Sequence, residues 1–142
     1  MAEKDSIVLT FDVDSDDFTR AGEASSRLKR TLKQMGLPPD IIRRISIVMY
    51  EGEINMVIHA HGGKITVTVD DDAVTMVLAD VGPGIPDVEK AMQAGWSTAS
   101  EAVRQQGFGA GMGLPNMKKN ADTLEIDTVV GVGTTVTAVV RL

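Results

Sequence analysis

Glycine placement constrains this chain more than any other feature. Gly82 and Gly84 follow Leu78-Ala79-Asp80-Val81, and Gly107, Gly109, Gly111 and Gly113 lead into Leu114-Pro115. These two short runs hold six of the 14 glycines. Glycine weakens helices and strands, so this density implies backbone that turns sharply or approaches a ligand closely. Two such runs joined by a polar loop predict the walls and lid of a nucleotide pocket.

The flanking elements follow from periodicity. Ile7 to Val13 alternates as a strand, with Ile7, Leu9, Phe11 and Val13 on one face. Asp14-Ser15-Asp16-Asp17 supplies capping residues for an amphipathic helix carrying Phe18, Ala21, Ser25, Leu28, Leu32 and Met35. Gly36 ends that helix, and Pro38-Pro39 breaks the chain before a second one, from about Asp40 to His59. Strands at 64–69 and 74–79 pair through the turn Asp70-Asp71-Asp72, which puts Asp80 at a strand end. A short helix is expected from Asp87 to Ala94, and residues 95–111 carry no consistent period. A helix at 112–121 and strands at 124–130 and 134–140, joined by Gly131-Val132-Gly133, complete the order. One α/β (α+β) domain spanning residues 1–142 is expected: a two-layer sandwich of a mixed, mostly antiparallel sheet with helices on one face.

Composition removes several function classes. Cysteine is absent, so disulfides and thiolate metal sites are excluded. No run approaches the roughly 18 apolar residues a membrane span needs, and the polar start resembles no signal peptide, which points to a cytoplasmic protein. A net charge of −6 argues against a nucleic-acid surface. The charge is uneven, because seven of the 14 cations lie between Arg20 and Arg44, opposed there only by Glu23 and Asp40. That stretch is either a solvated helical face or a docking face for an acidic protein partner.

Neither standard phosphate loop fits. No Gly-Lys is followed by Ser or Thr, and glycines at every second position from Gly107 to Gly113 miss the G-x-G-x-x-G register. The two histidines, His59 and His61, have no third ligand nearby. What remains is a constellation. Glu51 and Asn55 lie four residues apart on the second helix and so share a face. A carboxylate and an amide there need partners, which a structural loop or a ligand can supply. Asp80-x-Gly82-x-Gly84 follows a strand, the Gly107–Gly113 run precedes a helix, and Gly133-Thr134-Thr135 opens the last strand.

In this order and on these elements, the pieces resemble the N box, the two glycine boxes and the closing Gly-Thr of the GHKL (Bergerat-fold) ATPases, the superfamily of gyrase, histidine kinases and MutL. The resemblance covers about residues 45–140 and implies a histidine-kinase-like ATPase fold that binds ATP or ADP with Mg²⁺. It implies that Asn55 holds the metal and contacts the phosphates, that Glu51 is the catalytic base, and that Asp80 accepts the adenine amino group. It further implies nucleotide contacts from Gly82, Gly84 and Ile85, from Gly107, Gly109, Gly111, Met112, Gly113 and Leu114 in the lid, from Thr134, and from His59 near the phosphates. Arg104, the only cation of the lid, is either a charge stabiliser or a solvated residue.

Length leaves no room for a gyrase transducer or a histidine-bearing dimerisation domain. A chain of this size is similar to the small anti-sigma factor and switch-protein serine kinase group (SpoIIAB, RsbW and RsbT). Gly82-Pro83-Gly84-Ile85-Pro86-Asp87-Val88-Glu89, Gly95-Trp96-Ser97-Thr98 and Gly113-Leu114-Pro115 look most like the RsbT branch. Val81 and Met56 depart from the group's usual residues, and Ala99–Gln106 has no strong match. The expected function is a serine/threonine protein kinase acting on a STAS-domain antagonist or scaffold protein. The alternative is an anti-sigma factor that sequesters a sigma subunit in a nucleotide-dependent way, and a third is a plain ATPase. A homodimer is compatible with the group.

Overall fold

The computed structural model describes residues 6–13, 22–59, 62–82, 84–85, 92 and 113–142, with only the backbone at 58–59. Its elements are β1 (Ile7–Val13), α1 (Glu23–Gln34), α2 (Pro39–His59), β2 (Gly63–Val69), β3 (Ala73–Asp80), α3 (Gly113–Asn120), β4 (Thr123–Val129) and β5 (Gly133–Arg141). The expected helix at 87–94, the period-free loop, and Gly107, Gly109, Gly111 and Met112 lie outside the described residues.

The five strands form one sheet in the order β1-β2-β3-β5-β4. Every pair among them is antiparallel, so the expected mixed character is absent from the described strands. Alternation sends Ile65, Val67, Val74, Met76, Leu78, Val136, Ala138 and Val140 to one face, where all are buried. Against them pack Leu28 and Leu32 of α1, Ile45, Val48 and Met49 of α2, and Met117 of α3. The helices thus form a single layer over one face of the sheet.

Chain breakers act where the sequence places them. Gly36 adopts φ 79°, and the Leu37 amide reaches back to the Leu32 carbonyl at 3.3 Å, closing α1 with a Schellman-type turn. Pro39 opens α2 at its first position, where a missing N–H costs nothing. The start of α1 differs from expectation. The helix begins at Glu23 behind Gly22, which sits at φ 93° and has no side chain to cap with, while the Asp14–Asp17 run, Phe18 and Ala21 lie outside the described residues. The cap comes from another helix. Glu53 of α2, only 3% exposed, accepts the amides of Ala24 and Ser25 at 3.1 and 3.0 Å. A carboxylate here satisfies two orphan donors and faces the positive end of the helix dipole.

Close approach explains two residues of α2. A Cβ on Gly52 would overlap the Leu78 side chain and lie 3.2 Å from Met117 Cε, so glycine lets α2 settle onto β3 and α3 together. Met56, a departure from the resembled group, is buried, and its Cε occupies the space that a Cβ on Gly63 would need at 2.8 Å. The basic stretch is also divided. Arg44 is structural, donating to the Asn120 carbonyl at 3.0 Å and pairing with Asp122 at 3.3 Å. The Arg27 guanidinium lies 5.4 Å from the centre of the Phe11 ring. No helix among the described residues is long and apolar enough to cross a membrane.

Candidate functional site

Two clusters form on neighbouring elements, one at the C-terminal end of β3 and one where α2 crosses α3. At β3, Asp80 is half-buried and its Oδ1 accepts the Thr134 amide at 2.8 Å. A Cβ on Gly133 would overlap the Asp80 carbonyl oxygen, so only glycine lets β5 come this close. Thr134 is buried, and its hydroxyl shares a hydrogen bond of 2.9 Å with that of Thr128. Thr128 Oγ1 in turn accepts the Ile85 amide at 2.8 Å. The turn after β3 is therefore tied to the β4–β5 hairpin twice, since the Gly82 amide also donates to the Val132 carbonyl at 3.1 Å. Gly84 bends at φ 77°, and a Cβ there would meet the Val129 carbonyl oxygen at 2.7 Å.

Burial pushes the Asp80 carboxyl above the usual carboxylate range, while the Thr134 amide opposes that shift. Fixing Oδ1 with a backbone donor orients the plane of the carboxylate. Oδ2 is then the oxygen left to read a donor on a ligand.

At the second cluster, Glu51 and Asn55 project from one face of α2 towards the start of α3. Both amide atoms of Asn55 lie 3.0 Å from where a Cβ on Gly113 would sit, so the side chain rests on the first residue of α3. Glu51 is half-buried, with the Asn116 side chain of α3 near its carboxylate. Burial raises its pKa above the ordinary glutamate range, and the Asn116 contact partly offsets this by favouring the charged form. Asn116 also accepts, through its carbonyl, the side-chain amide of Asn120 at 2.9 Å. Leu114 is buried beside Met117, so its side chain anchors α3 to the core.

The structure brings together Glu51, Asn55 and Gly113 in one cluster, and Asp80, Gly82, Gly84, Ile85 and Thr134 in the other. They are linked through α2, because Met56, next to Asn55, packs on Gly63, and Gly63 pairs with Asp80 across the sheet. His59 ends α2, but its side chain lies outside the described residues, as do Gly107, Gly109, Gly111, Met112 and Arg104. Three contributors escaped the sequence reading: Glu53, Thr128 and Asn116. Only Asn116 left a trace, being one turn beyond Gly113 on a helix already singled out.

Among the described residues no three of His, Cys, Asp and Glu group to hold a metal. A metal that takes most of its ligands from phosphate and water needs only one amide oxygen from the protein, and Asn55 offers that beside a helix start. The donor set therefore fits Mg²⁺ delivered with a nucleotide.

Residues 15–140 match the family described as histidine kinase-like ATPase domain. The chain is 37% identical over 100 residues to an anti-sigma F factor of Caldanaerobacter subterraneus subsp. tengcongensis, covering 67% of this chain and 66% of that one. It is 31% identical over 121 residues to the serine/threonine-protein kinase RsbT of Bacillus subtilis, covering 82% of this chain and 85% of the relative. An anti-sigma F factor of Bacillus licheniformis is 32% identical over 111 residues, covering 74% of this chain and 73% of the relative.

Proposed function

Since the chain belongs to the histidine kinase-like ATPase family, we propose that it is an ATP-dependent serine/threonine protein kinase of a bacterial partner-switching system, acting on a STAS-domain protein. The observation that carries this reading is the placement of Glu51 one helical turn before Asn55, both over the start of α3, with Asn116 near the carboxylate. A base beside the metal-binding amide is what transfer of a terminal phosphoryl group to a hydroxyl requires.

In this reading the adenine amino group donates to Asp80 Oδ2, and guanine is disfavoured because it presents a carbonyl there. Gly82, Gly84 and Ile85 form the floor under the base, and Thr134 holds Asp80 in position through its amide. Gly113 stands at the positive end of α3, where its amide meets the phosphates, and the resemblance assigns the same task to Gly107, Gly109, Gly111 and Met112, which lie outside the described residues. Asn55 holds Mg²⁺, which neutralises phosphate charge when bound. Glu51 accepts the proton of the acceptor serine as its oxygen bonds to the γ-phosphorus, the bond to the β–γ bridging oxygen breaks, and ADP leaves.

A second reading is favoured by the names of two relatives: nucleotide-dependent sequestration of a sigma subunit. Affinity capture from an extract of the source cell, with ATP and Mg²⁺ present, discriminates the two. Recovery of a STAS protein that then gains phosphate supports the kinase, whereas recovery of a sigma subunit without transfer supports sequestration.

A further inference from the structure

α1 and α2 do not close completely against each other. Between them runs a groove of about 590 Å³, lined by Lys29 and Lys33 of α1 and by Arg43, Ile47, Tyr50 and Glu51 of α2. We propose that this groove docks an acidic amphipathic segment of the protein that supplies the acceptor hydroxyl. The proposal rests on the kinase reading and names the partner chemistry of that same site.

Three observations carry it. The first is charge. The chain is acidic overall at −6, yet this groove presents three exposed cations. Among the described residues none of the three is ion-paired, whereas Arg44 is committed to Asp122 and Arg27 to Phe11. An acidic segment is repelled by most of the surface and attracted here. The second is composition. Ile47, the half-exposed Tyr50 and the buried Ile42 line the groove together with the cations. A purely anionic ligand gains nothing from these apolar groups, whereas an amphipathic segment uses both parts.

The third is direction. Arg43, Ile47, Glu51 and Asn55 follow one another at four-residue steps along α2, so they form a single row on its surface. The row passes from the cationic end of the groove to the carboxylate and then to the amide over Gly113. Glu51 therefore belongs to both the groove and the phosphate cluster. A segment lying in the groove is led to the base from the side opposite the Asp80 seat, which lies beyond the C-terminal end of α2 at Gly63. Acceptor and nucleotide then approach Glu51 from different directions.

The test uses the full chain and two short fluorescein-labelled peptides, one with Leu and Glu at helical spacing and one with Leu and Lys. The Leu/Glu peptide is expected to bind, to weaken with added salt, and to shift the amide resonances of Lys29, Lys33, Ile47 and Tyr50. Its affinity is expected to fall about tenfold in the variant Lys29→Glu/Lys33→Glu/Arg43→Glu. The control Lys118→Glu/Lys119→Glu on α3 leaves it unchanged, and unchanged ATP affinity in the triple variant confirms that it is folded. No binding, equal binding of the Leu/Lys peptide, indifference to the triple reversal, or shifts on another face would each overturn the proposal. Tighter occupation of the groove by inorganic tripolyphosphate than by the peptide would also overturn it, by making the groove an anion site. None of these readings depends on turnover. Absence of phosphoryl transfer by the unaltered chain would instead count against the kinase while leaving the groove result standing.

Discussion

The Glu53 carboxylate, buried in the middle of α2, holds the amides of Ala24 and Ser25 at the first turn of α1. Two residues earlier on the same helix, Glu51 faces α3 and Asn116 instead. One helix thus carries two acids in different surroundings, one capping a neighbouring helix and one that the proposed reaction uses as its base.

Replacing the structural acid should therefore damage the fold. Glu53→Ala leaves two buried amides without an acceptor and is expected to cost about 2–4 kcal/mol in urea unfolding. Glu51→Ala should leave the urea midpoint nearly unchanged, and equal destabilisation by both variants would contradict the division of roles.

Glu51 should govern the pH dependence of transfer. Its pKa is raised by burial, so the ionised base forms only as pH climbs past the ordinary glutamate range, and single-turnover transfer should rise through that window. The sign for stability is the reverse. A carboxyl with a raised folded pKa stabilises the fold while protonated, and this contribution is lost as pH rises through the folded value. At neutral pH Glu51→Gln should accordingly be as stable as the parent or more so, by up to about 1 kcal/mol, while transfer falls about 10²–10⁴-fold. Thermal melts at neutral pH check the first part and rapid-quench kinetics the second.

Asp80 should set base preference. Asp80→Asn keeps an oxygen for the Thr134 amide but turns the group proposed to face adenine from acceptor to donor. Calorimetry should show ATP and ADP binding weakened about 10–100-fold, with the preference over GTP narrowed. Equal affinity for ATP before and after the change would remove Asp80 from the adenine seat.

Gly133 tests the closeness of β5 to that seat. In Gly133→Ala the new methyl overlaps the Asp80 carbonyl oxygen and comes within 3.3 Å of its Oδ1, so strand and carboxylate must move apart. A loss of about 1–3 kcal/mol in stability is expected, together with weaker nucleotide binding. A variant with the parent's melting temperature and affinity would show that the two strands are not so constrained.

Most of the fold was legible because the strands alternate cleanly and the helices carry three- and four-residue apolar steps. The grouping of the candidate residues was legible where it is local: Glu51 with Asn55 share a helix face, and Asp80 precedes its glycines. What escaped reading is long-range. Glu53 looked like one more acid, because its partners lie 28 and 29 residues earlier in the chain. Thr128 sits in a strand rich in ordinary β-formers, and nothing local marks its hydroxyl as the link between Ile85 and Thr134. The start of α1 at Glu23 was not legible, because its cap arrives from α2 and Gly22 carries no side chain to signal it. Met56 looked out of place until Gly63 was found to make room for it.

Glu51 is proposed to accept the proton of a protein hydroxyl while ATP sits between Asp80 and Asn55. Mass spectrometry of a cognate STAS-domain protein after incubation with ATP, Mg²⁺ and either the parent or Glu51→Ala tests it most directly. One phosphoserine or phosphothreonine is expected with the parent and at most a trace of it at the same incubation time with Glu51→Ala, although calorimetry shows both binding ATP. Full phosphorylation by Glu51→Ala, or none by a parent that binds ATP, would contradict the proposal.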